Sequence, residues 1–264
     1  MIVNSVKLPI IKPNDDLFQI ILDTFKDNDI ILGDKDIIVI SEKIIATAQG
    51  RVVDLTSIRN VSDQAKELAL KYLMDERIVE LILSEADMVL GGVDTVVLAE
   101  INGMLIANAG IDHSNSGGEN FVVLLPKNPQ KTVNQYRNFF LKEFNLKHLG
   151  VIIADSRVQP LKKGTIGIAI AVSGFEPIED CRGRADLFGR PLQITQRAVA
   201  DDLVSAAQIL LGEADEQTPI VLIKGAPVRF IEKPPSSMQM DPEECLYMNI
   251  FAQYLLKKND KKKE

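Results

Sequence analysis

Residues 149–156 read Leu-Gly-Val-Ile-Ile-Ala-Asp-Ser, a continuous apolar run that stops at a carboxylate. A short run without alternation predicts a strand covered on both faces, here with Asp155 and Ser156 at its solvent-facing tip. Outward from it, Asp36 to Ser41, Thr165 to Ser173, Ile220 to Lys224 and Ile2 to Lys7 carry similar strand character. Helical periodicity separates these runs. One helix opens at Asn14 or Asp15 and runs to Phe25, with Leu17, Ile20, Ile21 and Phe25 on one face. Others span Ser62 to Met74, Asp75 to Ser84, Gln130 to Phe144, and Ile194 to Leu211 with a cap near Thr195. Glu42 to Gly50 reads as a polar continuation of the 36–41 strand, and Arg51 to Leu55 resumes strand character.

The 264 residues are 46% apolar, ample for a real core. A net charge of −7 argues against nucleic acid as a partner, since phosphate-backbone binding needs massed Lys and Arg. With only Cys181 and Cys245, neither a disulfide framework nor a four-thiolate zinc site can be built, and a reducing, cytoplasmic setting is expected. No run approaches the length of a membrane span and no export leader is evident, so no membrane partner is expected. A single unit over residues 1–256, with an internal joint placed at the polar segment Pro126 to Gln130, and a frayed charged tail over 257–264 complete the expected organisation.

The second informative stretch is Asn108 to Asn115, Asn-Ala-Gly-Ile-Asp-His-Ser-Asn. Val93 to Glu100 and Met104 to Ala107 flank Asn102-Gly103, the dipeptide that a tight hairpin turn demands, so a hairpin delivers this loop to a rim. It has two readings: a turn, because Asn, Gly, Asp and Ser favour local backbone hydrogen bonds, or the start of a ligand loop. Asp112, Asp155 and the cluster Glu213-Ala214-Asp215-Glu216 all fall at expected element ends. Such carboxylates either complement helix ends and solvated turns or supply the hard oxygen ligands that Mg²⁺ takes alongside substrate phosphates.

Several common machineries are missing. There is no G-x-x-x-x-G-K-[ST] loop, and Gly164 to Gly174 lacks dinucleotide-site spacing, which disfavours P-loop and Rossmann folds. His113 and His148 have no helical zinc partner, and His113 reads as a hydrogen-bonding neighbour rather than a ligand. No G-x-S-x-G elbow supports a serine nucleophile. Arg182, Arg184 and Arg190 either read an anion or lie in a solvated loop. Cys181 and Cys245 read as small buried residues.

Taken in order, Leu8-Pro9-Ile10-Ile11, Ser41-Glu42-Lys43-Ile44, Ala48-Gln49-Gly50-Arg51, the 108–115 loop, 150–156, 167–174, 186–192 (Asp-Leu-Phe-Gly-Arg-Pro-Leu), 198–203 (Ala-Val-Ala-Asp-Asp-Leu), 210–216 and 218–225 resemble the coenzyme F420-0:γ-glutamyl ligases. The resemblance implies a mixed α/β (α+β) fold peculiar to that family, with mixed sheets and flanking helices. It implies a homodimeric, GTP-dependent amide ligase that adds L-glutamate to a deazaflavin coenzyme, with Mg²⁺ or Mn²⁺ and room for a monovalent cation. By position, Asp112, Asp155, Ser156 and Glu213 match its metal site and Asn115 its nucleotide-phosphate contact. Leu8, Pro9, Ile10, Ile11, Glu42, Lys43, Thr47 and the segment Leu211, Gly212, Glu213, Ala214, Asp215, Glu216, Gln217 and Thr218 match its other nucleotide contacts. Asp112, Asp155 and Lys43 are the expected catalytic residues.

Two departures bear on the acceptor. The family pattern Ser-Lys-Ala-Glu-Gly-Arg has Thr47 in place of its Lys and Gln49 in place of its Glu. The family's Gly-Arg-Pro-aromatic sequence after the Asp155 position is replaced by Val158-Gln159-Pro160-Leu161, followed by Lys162 and Lys163. The chemistry implied is activation of a carboxylate by GTP as an acyl phosphate, then attack by the glutamate amine. Lys43, Lys162, Arg182 or Arg184 would neutralise phosphate or coenzyme charge. The alternatives are a ligase of the same fold for another acid acceptor, and a nucleotide-binding regulatory protein that has lost catalysis.

Overall fold

A computed structural model describes residues 1–249; the expected tail at 257–264 lies outside the described residues. In chain order the elements are β1 (Ile2–Val6), α1 (Leu17–Asp27), β2 (Ile37–Ser41), α2 (Glu42–Ala48), β3 (Val52–Asp54), α3 (Asp63–Tyr72), α4 (Glu76–Glu85) and β4 (Met88–Val93). There follow β5 (Val96–Ile101), β6 (Met104–Ala107), β7 (Phe121–Val123), α5 (Pro129–Glu143), β8 (Gly150–Gln159), β9 (Lys162–Ser173), β10 (Glu179–Asp180), β11 (Gln196–Arg197), α6 (Val199–Leu211) and β12 (Ile220–Lys224).

The main sheet has the order β1-β12-β2-β8-β9, and only β2 and β8 run parallel. Its continuous apolar runs follow from helices on both faces. Ile38, Ile40, Val151, Ile153 and Leu222 pack with Leu17, Ile21 and Phe25 of α1 and with Val133, Tyr136 and Phe140 of α5. The alternate residues Ile37, Val39, Ile152, Val221 and Ile223 pack with Leu203, Val204 and Ala207 of α6. Strand alternation sends successive side chains to opposite faces, so all four residues of Ile37 to Ile40 are buried. Phe140, fully buried among Phe25, Tyr136, Phe139 and Phe144, anchors the first face. Phe140→Ala is expected to cost about 3–5 kcal/mol, read as a lowered urea midpoint; an unchanged midpoint contradicts this packing.

Parallel neighbours need a long crossover. Here it carries a second apolar cluster, in which Leu55, Tyr72, Ile82, Val97, Ala99, Ile111, Val122 and Leu124 come together from α3, α4, the β4-β5-β6 meander and the β3-β7 pair. The Asn102-Gly103 turn joins β5 to β6 as expected, with both residues at positive φ.

Four expectations need correction. The expected strand continuation over 42–50 is instead helix α2 over Glu42–Ala48 followed by a turn at 49–50: Ser41 turns out of β2 as the cap of α2 and Glu42 opens its first turn. Strand β8 does not end at Ala154 but continues through Asp155 to Gln159, because β9 runs antiparallel beside it over that whole length. Helix α6 starts at Val199, not near Thr195, since Gln196 and Arg197 pair with Glu179 and Asp180 as β10-β11. The run Val93 to Glu100 is not one strand: Val93 ends β4, and β5 starts at Val96 after a turn at Asp94-Thr95.

Candidate functional site

Strand β2 ends at Ser41, which lies in register with Ala154 of β8. The next residues, Glu42-Lys43 and Asp155, therefore emerge together beyond the carboxyl end of β2, a favoured ligand position in sheets with parallel neighbours. Two loops close over that edge, the segment 108–118 from the second cluster and 211–219 after α6, leaving a cavity of about 560 Å³.

Most of the expected site residues line this one cavity: Pro9, Ile10 and Ile11; Glu42, Lys43 and Thr47; Asp112 and Asn115; Asp155 and Ser156; and all of Leu211 to Thr218. Leu8 does not line it. Its side chain is buried in the core, while its backbone N–H donates to Gln217 O at 3.2 Å and its carbonyl accepts from Gln217 Nε2 at 2.9 Å, tying 8–11 to 217.

The geometry of the 108–115 loop follows from a few contacts. Asp112 pairs through its backbone with Val123 of β7, which aims its carboxylate back across the cleft. There Lys43 Nζ donates to Asp112 Oδ2, and also to Ser114 O at 2.9 Å and Ser114 Oγ at 2.7 Å. Ser114 Oγ itself donates to Asp112 Oδ2 at 2.6 Å. Asn115 Nδ2 donates to Ala214 O at 2.8 Å, bridging the two closing loops. On the far wall Glu213 Oε1 accepts from Gln208 Nε2 at 2.7 Å and Thr165 Oγ1 at 3.0 Å.

The electrostatics are dominated by carboxylates. Burial pushes Asp155 up to about 6; a bond from Ser156 N–H and the charge of Lys43 oppose this, and the charges of Asp112 and Glu213 add to it. Asp155 is thus a half-buried mid-strand group, not the exposed tip that an ending strand implied. Burial first, then the Asp155 charge, hold Glu42 well above the usual carboxylate range. For Asp112 burial pushes upward, but the Lys43 and Ser114 bonds outweigh it and leave the group below its ordinary value. Lys43 is the one Lys or Arg lining the cavity among the described residues.

Among the described residues no His, Cys, Asp and Glu side chains gather three or more strong into a preformed metal cluster. The donor chemistry nonetheless fits a hard divalent cation, because Mg²⁺ characteristically takes one or two carboxylates and completes its shell with water and substrate phosphates. Asp112, Asp155 and Glu213 face one cavity lined by a single lysine, and the charges of Asp112 and Glu213 raise the cost of ionising Asp155.

Other expectations separate from the site. Arg182 is bound to Asp180, and Arg184 and Arg197 to Glu179, on the β10-β11 arm; neither Arg182, Arg184 nor Lys162 lines the cavity. His113 is exposed and does not line it either. His148 lies at the other end of β2 and β8, its Nδ1 3.2 Å from Asp34 Oδ2, beside a separate cavity of about 570 Å³. Cys181 is buried and Cys245 half-buried. Gln49, at the position of a family Glu, is structural: its Oε1 accepts from Lys127 N at 2.7 Å and its Nε2 donates to Thr132 Oγ1 at 3.2 Å. Neither Gln208 nor Thr165 carries a sequence signal for this role, because a hydrogen bond between distant elements leaves no local pattern. No described helix is long and apolar enough to cross a membrane.

A family model described as F420-0:Gamma-glutamyl ligase matches residues 5–225. A protein of Methanocaldococcus jannaschii named coenzyme F420:L-glutamate ligase is 40% identical, over 83% of this chain and 86% of that protein. A protein of the same name from Methanothermobacter thermautotrophicus is 36% identical over 83% and 86% of the two chains. Another from Methanosarcina acetivorans is 32% identical over 96% of each.

Proposed function

The chain belongs to the F420-0:γ-glutamyl ligase family, and from that premise we propose that its cleft joins L-glutamate to the carboxylate of the deazaflavin coenzyme F420-0 at the expense of GTP. The observation that carries this reading is the meeting of Lys43, Asp112, Asp155 and Glu213, distant in sequence, in one cavity. An uncatalysed carboxylate is a poor acylating group. Transfer of the γ-phosphoryl group of GTP to it makes an acyl phosphate and GDP; the glutamate amine then forms the amide bond and expels phosphate.

In this reading the apolar wall of Pro9, Ile10 and Ile11 and the backbone of 211–218 take the nucleoside, and Lys43 and Asn115 take its phosphates. Asp112, Asp155, Ser156 and Glu213 would hold Mg²⁺ or Mn²⁺, which when bound neutralises charge on the transferring phosphoryl oxygens. Lys43 holds Asp112 and Ser114, and its charge would complement the phosphates of a nucleotide bound beside that loop. The two closing loops, bridged by Asn115 and Ala214, keep water from the activated carboxyl.

Incubation of the protein with GTP, Mn²⁺, L-glutamate and F420-0 is expected to raise the coenzyme mass by one glutamyl residue, with GDP released in step. Absence of product with either metal overturns the reading. Thr47, facing the cavity where the family pattern has Lys, favours a second reading in which the acceptor is another acid. Acceptor-dependent GDP release with a different carboxylic acid, but none with F420-0, would select it.

A further inference from the structure

The segment 198–203, Ala-Val-Ala-Asp-Asp-Leu, lies outside the cleft lining, yet it meets the sheet beside the cleft. Register between β8 and β9 slips just before Asp155: Ile153 faces Ala171 and Ala154 faces Ala169, which leaves Ile170 as an extra residue, a β-bulge. The next rungs pair Asp155 with Ile168 and Ser156 with Gly167. At the bulge, Ala169 N–H donates to Asp201 Oδ1 of α6 at 2.8 Å. One turn further along α6, Ser205 Oγ donates to Gly167 O at 3.0 Å. Between them Gly167 lets the helix backbone approach so closely that a Cβ there would lie 2.7 Å from Val204 O.

These three contacts fasten α6 to β9 at the rungs opposite Ala154 and Ser156, on either side of Asp155. Further along α6, Gln208 holds Glu213, whose other partner is Thr165 of β9. Glu213 is therefore placed by a helix and a strand at once, and its position relative to Asp155 depends on where α6 sits on the bulge. Second-layer bonds of this kind commonly decide how well oxygen ligands converge on a cation.

We propose that Asp201 is a positioning residue: by holding the bulged N–H of Ala169, with Ser205 and Gly167 as its companions, it sets the spacing between Asp155 and Glu213 across the cleft. The metal role of those two carboxylates rests on the function proposed above; the fastening of α6 does not.

The test compares Asp201→Ala, Asp201→Asn and Ser205→Ala with the native protein. Affinity for Mn²⁺ in the presence of GDP is read by electron paramagnetic resonance of the free ion, and amide hydrogen exchange is read in the segment 211–218 and in α1 and α5. Asp201→Ala is expected to weaken Mn²⁺ binding by about 10- to 100-fold and to speed exchange in 211–218, with α1 and α5 unchanged. Asp201→Asn, whose amide oxygen can accept the same bond, is expected to stay close to the native protein, and Ser205→Ala to move the same two readouts by less. Native exchange and native Mn²⁺ affinity in Asp201→Ala overturn the proposal, as does an Asn variant that falls as far as Ala. If Asp201→Ala does not fold, Ser205→Ala decides by the same readouts. If the native protein binds no Mn²⁺ with GDP, the proposed function fails, and exchange in 211–218 still decides whether Asp201 positions that wall.

Discussion

Asp155→Asn is expected to abolish nucleotide-dependent ligation and, at the same time, to make the ligand-free protein more stable near neutral pH. The two effects share a cause. Burial holds the folded-state pKa at about 6, above the value of 3.8 for a free aspartate. An acid whose pKa is raised by folding binds protons more tightly when folded, so it costs stability once the unfolded chain has ionised. That cost is absent below about pH 4, grows between about pH 4 and 6, and is then constant, reaching at most about 3 kcal/mol. Asparagine keeps the size and removes the charge. Thermal melts of the two proteins should therefore diverge as pH rises through this window and coincide below it. Removing a cation-holding oxygen from the proposed site should lower kcat by at least about 10²–10³-fold. A variant that melts lower than the native protein at neutral pH contradicts the burial, and one with native turnover contradicts the role.

Lys43→Met is expected to have the second-largest effect, lowering kcat by about 10²–10³-fold while leaving the main core intact. Methionine retains the reach and apolar stem of lysine but none of its donors. Three contacts are lost together, to Asp112 Oδ2, Ser114 O and Ser114 Oγ, so the 112–115 segment loses its attachment to α2. Asp112 then keeps only the Ser114 bonds against the burial that raises its pKa. Steady-state kinetics and amide exchange over 108–118 read the two consequences separately. Native kcat would remove Lys43 from the mechanism, and native exchange would show that the loop is held by other means. Lys43→Arg is not a rescue, because a planar fork does not reproduce an ammonium that serves one carboxylate, one carbonyl and one hydroxyl from a single atom.

The parts of the fold that could be read from the chain are those where local pattern and tertiary burial agree. Ile37 to Ile40 and Leu149 to Ala154 are unbroken apolar runs because helices cover both faces of β2 and β8, and burial leaves its mark on every residue. Beyond Ala154 that agreement ends. Asp155 to Gln159 is polar, yet it stays in the ladder because β9 supplies its partners, which a local reading cannot see. In α2, Ile44, Ile45 and Thr47 are β-branched and read as strand, but the chain must leave the sheet at Ser41, and tertiary context overrides a weak propensity. Asp112 and Glu213 were visible as carboxylates at element ends, and the resemblance supplied a reason for them to meet. Ser114, Gln208 and Thr165, which hold them in place, have roles that exist only once the loops and α6 are packed, so no local pattern marks them.

In the mechanism proposed here the cleft activates an acceptor carboxylate with a nucleotide before glutamate attacks it. F420-0 prepared with a heavy oxygen isotope in its acceptor carboxylate tests this most directly, by mass analysis of the inorganic phosphate released in the presence of GTP, Mn²⁺ and L-glutamate. An acyl phosphate must carry one carboxylate oxygen to phosphorus, so labelled phosphate is expected in step with glutamylated coenzyme; product formed with unlabelled phosphate would rule out the acyl phosphate.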